Sequence, residues 1–72
     1  MKRYKVIKKL KDEAKRLGIP FQMTELSKHT GIEIGATRST LSRSSSDFPD
    51  QTAHDFWDQF AVELGGKGWW RS

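Results

Sequence analysis

A chain of 72 residues with 35% apolar content has room for one thin core, and a domain this small is marginal alone and often leans on a partner. The absence of cysteine excludes disulfide staples, thiolate catalysis and Cys-based zinc sites, and fits a reducing cytoplasm. A net charge of +4 raises the prior for a polyanionic partner such as nucleic acid, while no apolar run approaches bilayer length and no signal peptide is recognisable, so a soluble, cytoplasmic protein with no membrane contact is expected.

The charge is polarised. Eight Lys or Arg residues lie between Lys2 and Arg16, whereas Asp47 to Glu63 holds five acidic residues and no Lys or Arg. Tyr4, Ile7 or Val6, Leu10, Ala14 and Leu17 recur at three- and four-residue steps, which predicts a helix over residues 3–17 with lysines on its other side. Gly18 supplies its stop, and Pro20 follows. Ile19, Phe21 and Met23 alternate before the pattern slips to Leu26, predicting a strand over 19–26. A second strand is expected over 28–34 and, after a Gly35-Ala36 turn, a third over 37–42 with Leu41 as its core residue. Arg43 to Asp47 reads as a polar loop ended by Pro49. A second helix follows, with Thr52 as N-cap, Asp55 completing a variant capping box, and Ala53, Phe56, Trp57, Phe60 and Leu64 forming one apolar stripe up to Gly65-Gly66.

These elements assemble into an α+β fold: a small α-β-β-β-α sandwich with a three-stranded antiparallel sheet and two helices on one face. Residues 1–66 form the single domain and 67–72 a short tail, whose adjacent Trp69 and Trp70 point to opposite sides if the tail is extended and pack on the first helix if it folds back. Strand parity then decides what the uncovered face presents. With Ile32 and Ile34 turned inward, His29, Gly31 and Glu33 turn outward, and Arg38, Thr40 and Ser42 share that open face. Histidine is the side chain whose unperturbed pKa suits proton transfer near neutrality. His54, by contrast, lies at helical spacing from Asp50 and Asp58 and reads as a solvated residue paired with carboxylates. No metal site and no cofactor is expected, because the two histidines are far apart and no clustered carboxylates accompany them.

The element order, the His29-Thr30 step opening an Ile32-Glu33-Ile34-Gly35 strand, the Ser39-Thr40-Leu41-Ser42-Arg43 strand and the helix-opening Thr52-Ala53 resemble the HicA-type toxins. These are small RNA-cleaving proteins of type II toxin-antitoxin systems with a double-stranded-RNA-binding-domain-like fold. The resemblance runs from Lys2-Arg3 through Leu64, and it implies a metal-independent endoribonuclease that acts on mRNA and pairs with a cognate antitoxin protein. It implies that His29 is catalytic, and Lys28, Arg38, Thr40 and Arg43 are the companion nucleic-acid contacts. The chain departs from the family pattern in two places: Ser27-Lys28 replace the small residues usual before the histidine, and Ser44 stands where a second histidine often follows the arginine.

Two other classes compete. Residues 24–43 can be read as a DNA-binding helix-turn-helix, with Thr24 to Ile32 as first helix and glycine turn and Ser39 to Arg43 as recognition helix, although Leu41 lies ten residues past Gly31, too far for a compact motif. A non-catalytic phage or plasmid accessory module that binds another protein is the third class.

Overall fold

The computed structural model describes residues 1–71. The order is α1 (Arg3–Leu17), β1 (Phe21–Glu25), β2 (His29–Ile34), β3 (Thr37–Ser42), α2 (Asp50–Asp58), the one-turn α3 (Ala61–Leu64) and a closing 3-10 turn (Trp69–Arg71). The three strands form one antiparallel sheet in the order β1-β2-β3, so the α+β sandwich expected from the sequence is the fold of the chain. Strands occupy most of residues 24–43, which removes the helix-turn-helix alternative: Gly31 and Gly35 and the β-branched residues between them favour extended backbone over helix.

Helix α1 ends on a Schellman motif. Gly18 takes the left-handed conformation (φ 71°), and the Ile19 amide donates to the Ala14 carbonyl at 2.8 Å. Val6, Leu10 and Ala14 are its buried face. Tyr4 and Leu17, expected in the core, point outward instead, with Tyr4 64% exposed, because the helix is turned so that the Val6-Leu10-Ala14 row meets the sheet. Strand β1 is shorter than the expected 19–26, and Met23 and Leu26 are about half exposed because β1 lies at the sheet edge.

Strands β2 and β3 join through a two-residue turn in which Gly35 alone has positive φ (59°), the pattern of a II′ hairpin. The Glu63 carboxylate clasps this turn, accepting from the Thr37 hydroxyl at 3.1 Å and the Ala36 amide at 3.4 Å. On the helix side, Ile32, Ile34 and Leu41 pack with Val6, Leu10, Phe48, Phe56, Trp57, Phe60 and Leu64 in one core. The apolar stripe expected for the second helix is buried throughout, at Ala53, Phe56, Trp57, Phe60 and Leu64.

The helix carrying that stripe differs in outline. It starts at Asp50 after Pro49, whose fixed φ suits a helix entrance, so Thr52 lies within the first turn and makes no capping bond. It also breaks at Gln59-Phe60 and resumes as α3, which lets the Phe60 ring remain fully buried. The tail is not extended, and Trp69 joins the core that holds Val6, Leu10 and Ala14 of α1. The tail turns back through Gly65, Gly66 and Gly68, all at positive φ, and lays both indoles on α2. Trp69 is buried and donates to the Trp57 carbonyl at 2.9 Å, and the Asp58 carboxylate accepts from the Gly68 amide and the Trp70 indole, each at 2.9 Å. Ser72, the last residue of the expected tail, lies outside the described residues. His54 is therefore no solvated partner of Asp50 and Asp58. Its ring stacks on Trp70 with centroids 3.9 Å apart, since the returning tail offers it an aromatic face.

Candidate nucleic-acid interface

Register fixes what each sheet face displays. His29 pairs with Ser42, Gly31 with Thr40 and Thr24, and Glu33 with Arg38 and Gln22, and these residues form the face that no helix covers. Apart from His29 that face carries no aromatic ring among the described residues, so it offers no base-stacking platform, and its one large aliphatic side chain is the half-exposed Leu26 bordering Thr24 and Gly31. Hydroxyls, amides and charges dominate it.

His29 opens β2 because the Leu26-Ser27-Lys28 loop closes there, the Leu26 amide donating to the His29 carbonyl at 2.8 Å. Its side chain is exposed and makes no hydrogen bond or ion pair among the described residues. A hollow of about 660 Å³ lies over it, lined by Ser27, Lys28, His29, Ser42, Arg43 and Ser44. A smaller hollow of about 190 Å³ continues along the face over Gly31, bordered by Thr24, Thr40 and Arg38. Together they make a shallow track from His29 towards Arg38.

The expected site residues separate along this track. Lys28 adjoins His29 and has no ion-pair partner among the described residues, which leaves its ammonium available to a phosphate. Thr40 is two residues along β3 from Ser42, about 7 Å away at the usual strand rise. Arg38 is four residues along, about 13 Å from the His29 end, so it does not share an atom-scale site with the imidazole, and it pairs with Glu33 at 3.2 Å. Arg43 is also engaged. It lines the hollow over His29, but its guanidinium reaches the Glu25 carboxylate at 3.0 Å and the Leu26 carbonyl at 2.5 Å. Lys28 and His29 are the pair the fold brings together.

One group of residues escaped the sequence reading. Thr30 is the one buried polar side chain among the described residues; its hydroxyl accepts from Arg3 and donates to Glu25 at 2.7 Å. Glu25 in turn holds Arg43 and lies 3.7 Å from Arg3, so one carboxylate ties the start of α1, the end of β1 and the end of β3 to the residue beside His29. The signal was present in the strand parity, since Thr30 shares the inward face with Ile32 and Ile34. At the N-terminus, the Asp47 carboxyl is held below its usual range by hydrogen bonds from the Met1 ammonium and from Lys2, which closes the domain between α1 and the loop before α2.

No group of three or more His, Cys, Asp and Glu side chains capable of holding a metal ion occurs among the described residues, and none of their helices is long and apolar enough to cross a membrane. In comparisons with known proteins, no family model, no curated protein and no solved structure matches the chain.

Proposed function

We propose that the chain is an RNA-binding, metal-independent endoribonuclease of the HicA type that cleaves mRNA on the open sheet face, with His29 as its proton-transfer group. The observation that carries this reading is the isolation of His29: an imidazole unpaired among the described residues, on a face without a base-stacking ring, beside an unpaired lysine and three serine hydroxyls. A face built only to hold single-stranded RNA displays aromatic rings for the bases. This one displays a group that moves protons.

RNA brings its own nucleophile. The imidazole takes the proton from a 2′-hydroxyl, the 2′-oxygen attacks the adjacent phosphorus, and the bond to the 5′-oxygen breaks, leaving a 2′,3′-cyclic phosphate and a 5′-hydroxyl. The proton held on His29 then passes to the departing 5′-oxygen, directly or through water, so one histidine serves both steps. Lys28 neutralises the phosphate as a point charge, and Thr40 and Arg38 contact the chain further along the track. Positioned proton transfer of this kind contributes about 10²- to 10⁴-fold in rate. In the cell this activity implies a cognate antitoxin protein and a cytoplasmic site of action.

The test is a fluorescent RNA cleavage assay with end-group analysis, together with growth on induced expression. Expected are cleavage that chelator does not affect, cyclic-phosphate ends, resistance of an all-deoxy substrate, and loss of both cleavage and growth arrest in His29→Ala at an unchanged melting temperature, while His54→Ala stays active if folded. Cleavage that survives His29→Ala or disappears with chelator refutes the proposal.

A further inference from the structure

The sheet has a second feature, on the side opposite His29. Strand β1 is an edge strand, and its ladder bonds to β2 involve the even residues: the Pro20 carbonyl accepts from Gly35 and the Leu26 amide donates to His29. By antiparallel alternation, Phe21, Met23 and Glu25 therefore turn their N–H and C=O groups to the free edge. None of the three makes a backbone hydrogen bond outside the sheet among the described residues. The strand has no Lys, no Pro and no bulge to discourage pairing, the usual devices by which an edge is blunted.

Along this edge runs an open groove of about 910 Å³ between β1 and α1, with Tyr4, Ile7 and Met23 as its apolar floor and Lys8, Lys11 and Lys15 on its rim. Tyr4 and Met23 are 64% and 49% exposed, and Lys11 and Lys15 have no ion-pair partner among the described residues. Lys8 is the exception, bound at 2.6 Å to Asp12, which lines the groove as its one acidic residue.

The geometry points to this groove as a docking site for an extended segment of a partner protein that adds a strand to the free edge of β1. Its groove-facing side chains are apolar at one end, against Tyr4, Ile7 and Met23, and acidic at the other, against Lys11 and Lys15, which follow one turn apart along α1. Main-chain bonds supply affinity in such an addition and alternate side chains supply specificity. The cationic rim selects acidic over basic sequences, and the apolar floor favours a peptide over RNA, whose charged backbone gains nothing from Ile7 and Met23. Because the odd residues of β1 share the helix side of the sheet with Thr30 and Ile32, the docked segment leaves His29 uncovered, and the proposal stands independently of the nuclease reading.

The probe is a synthetic peptide, acetyl-Thr-Ile-Thr-Ile-Thr-Glu-Thr-Glu-amide, titrated into the ¹⁵N-labelled chain. Amide shifts are expected at Phe21–Glu25, Tyr4, Lys11 and Lys15 and not at His29 or Arg38. Replacing both glutamates of the peptide by lysine, or the chain's Lys11 and Lys15 by Glu, is expected to weaken binding by roughly tenfold or more. Methylating one alternate set of peptide amides abolishes binding and methylating the other set leaves it, and any other pattern overturns strand addition. Met23→Lys, at an exposed position, loses binding at an unchanged melting temperature. A chain that already dimerises through β1 in sedimentation, or an RNA oligonucleotide that shifts Phe21–Glu25 at lower concentration than the peptide, also overturns the proposal.

Discussion

Replacing Thr30 by valine removes one oxygen from the interior and almost nothing else. Valine keeps the branched shape, so the fully buried site gains no cavity, and what disappears is the hydroxyl that accepts from Arg3 and donates to Glu25. Bonds to charged groups contribute about 1.5–3 kcal/mol each, and two of them set an upper limit of about 6 kcal/mol. The loss is smaller than that. Arg3 and Glu25 remain 22% and 44% exposed, so both recover water, and the Glu25–Arg43 contact at 3.0 Å survives. The added methyl also returns about 0.8 kcal/mol by its burial. A net destabilisation of about 2 kcal/mol follows, and at 4–8 °C per kcal/mol for a domain of this size the melting temperature falls by about 8–16 °C. Thermal melts followed by circular dichroism measure it, and a double-mutant cycle with Glu25→Gln is expected to show a coupling of about 0.5–3 kcal/mol. A Thr30→Val protein that melts at or above the wild-type temperature would refute the reasoning, because the hydroxyl would then be making no net contribution.

Trp57→Ala and Phe60→Ala each remove a buried ring and are expected to cost about 3–5 kcal/mol, enough to leave the domain largely unfolded at 37 °C by near-ultraviolet circular dichroism. Gly35→Ala places a Cβ against the Glu63 carboxylate and forces a positive φ on a non-glycine residue, so a loss of about 1–2 kcal/mol is expected in urea titrations. The Asp58 carboxyl is held below its usual range by the Gly68 amide, then by the Trp70 indole, against some desolvation, so its contribution is present above the ordinary carboxylate pKa and lost as pH falls through the lowered one. Asp58→Asn is expected to melt below wild type at neutral pH, with the gap narrowing as pH falls below the ordinary carboxylate range in a pH series of melts.

The layout of this fold was legible where local pattern and tertiary packing agree. The span of α1, the inward turn of Ile32, Ile34 and Leu41, and the outward turn of His29 follow from residue spacing and Gly18 and Gly35 punctuation, and the structure shows each of them. Tyr4 was misplaced because a helix with apolar residues at both Tyr4 and Val6 has two possible stripes, and only packing selects between them. The tail and His54 were illegible for a related reason: nothing local tells an indole which helix it will meet. In the candidate site, adjacency was readable for Lys28 and His29. The capture of Arg43 by Glu25 was not, since it joins residues on two strands at opposite edges of the sheet.

The three tryptophans of the chain all lie in one cluster, with Trp57 centred 6.2 Å from Trp69 and 5.8 Å from Trp70, and His54 stacked against the last. The chain therefore carries its optical reporters in the helical layer and none on the sheet. Indole emission and near-ultraviolet ellipticity register the tail leaving α2, yet they are blind to a ligand lying across His29 and Gly31. An RNA that changes the tryptophan signal would be touching or loosening the tail, whereas one that binds along the open face would go unseen until a label is placed there.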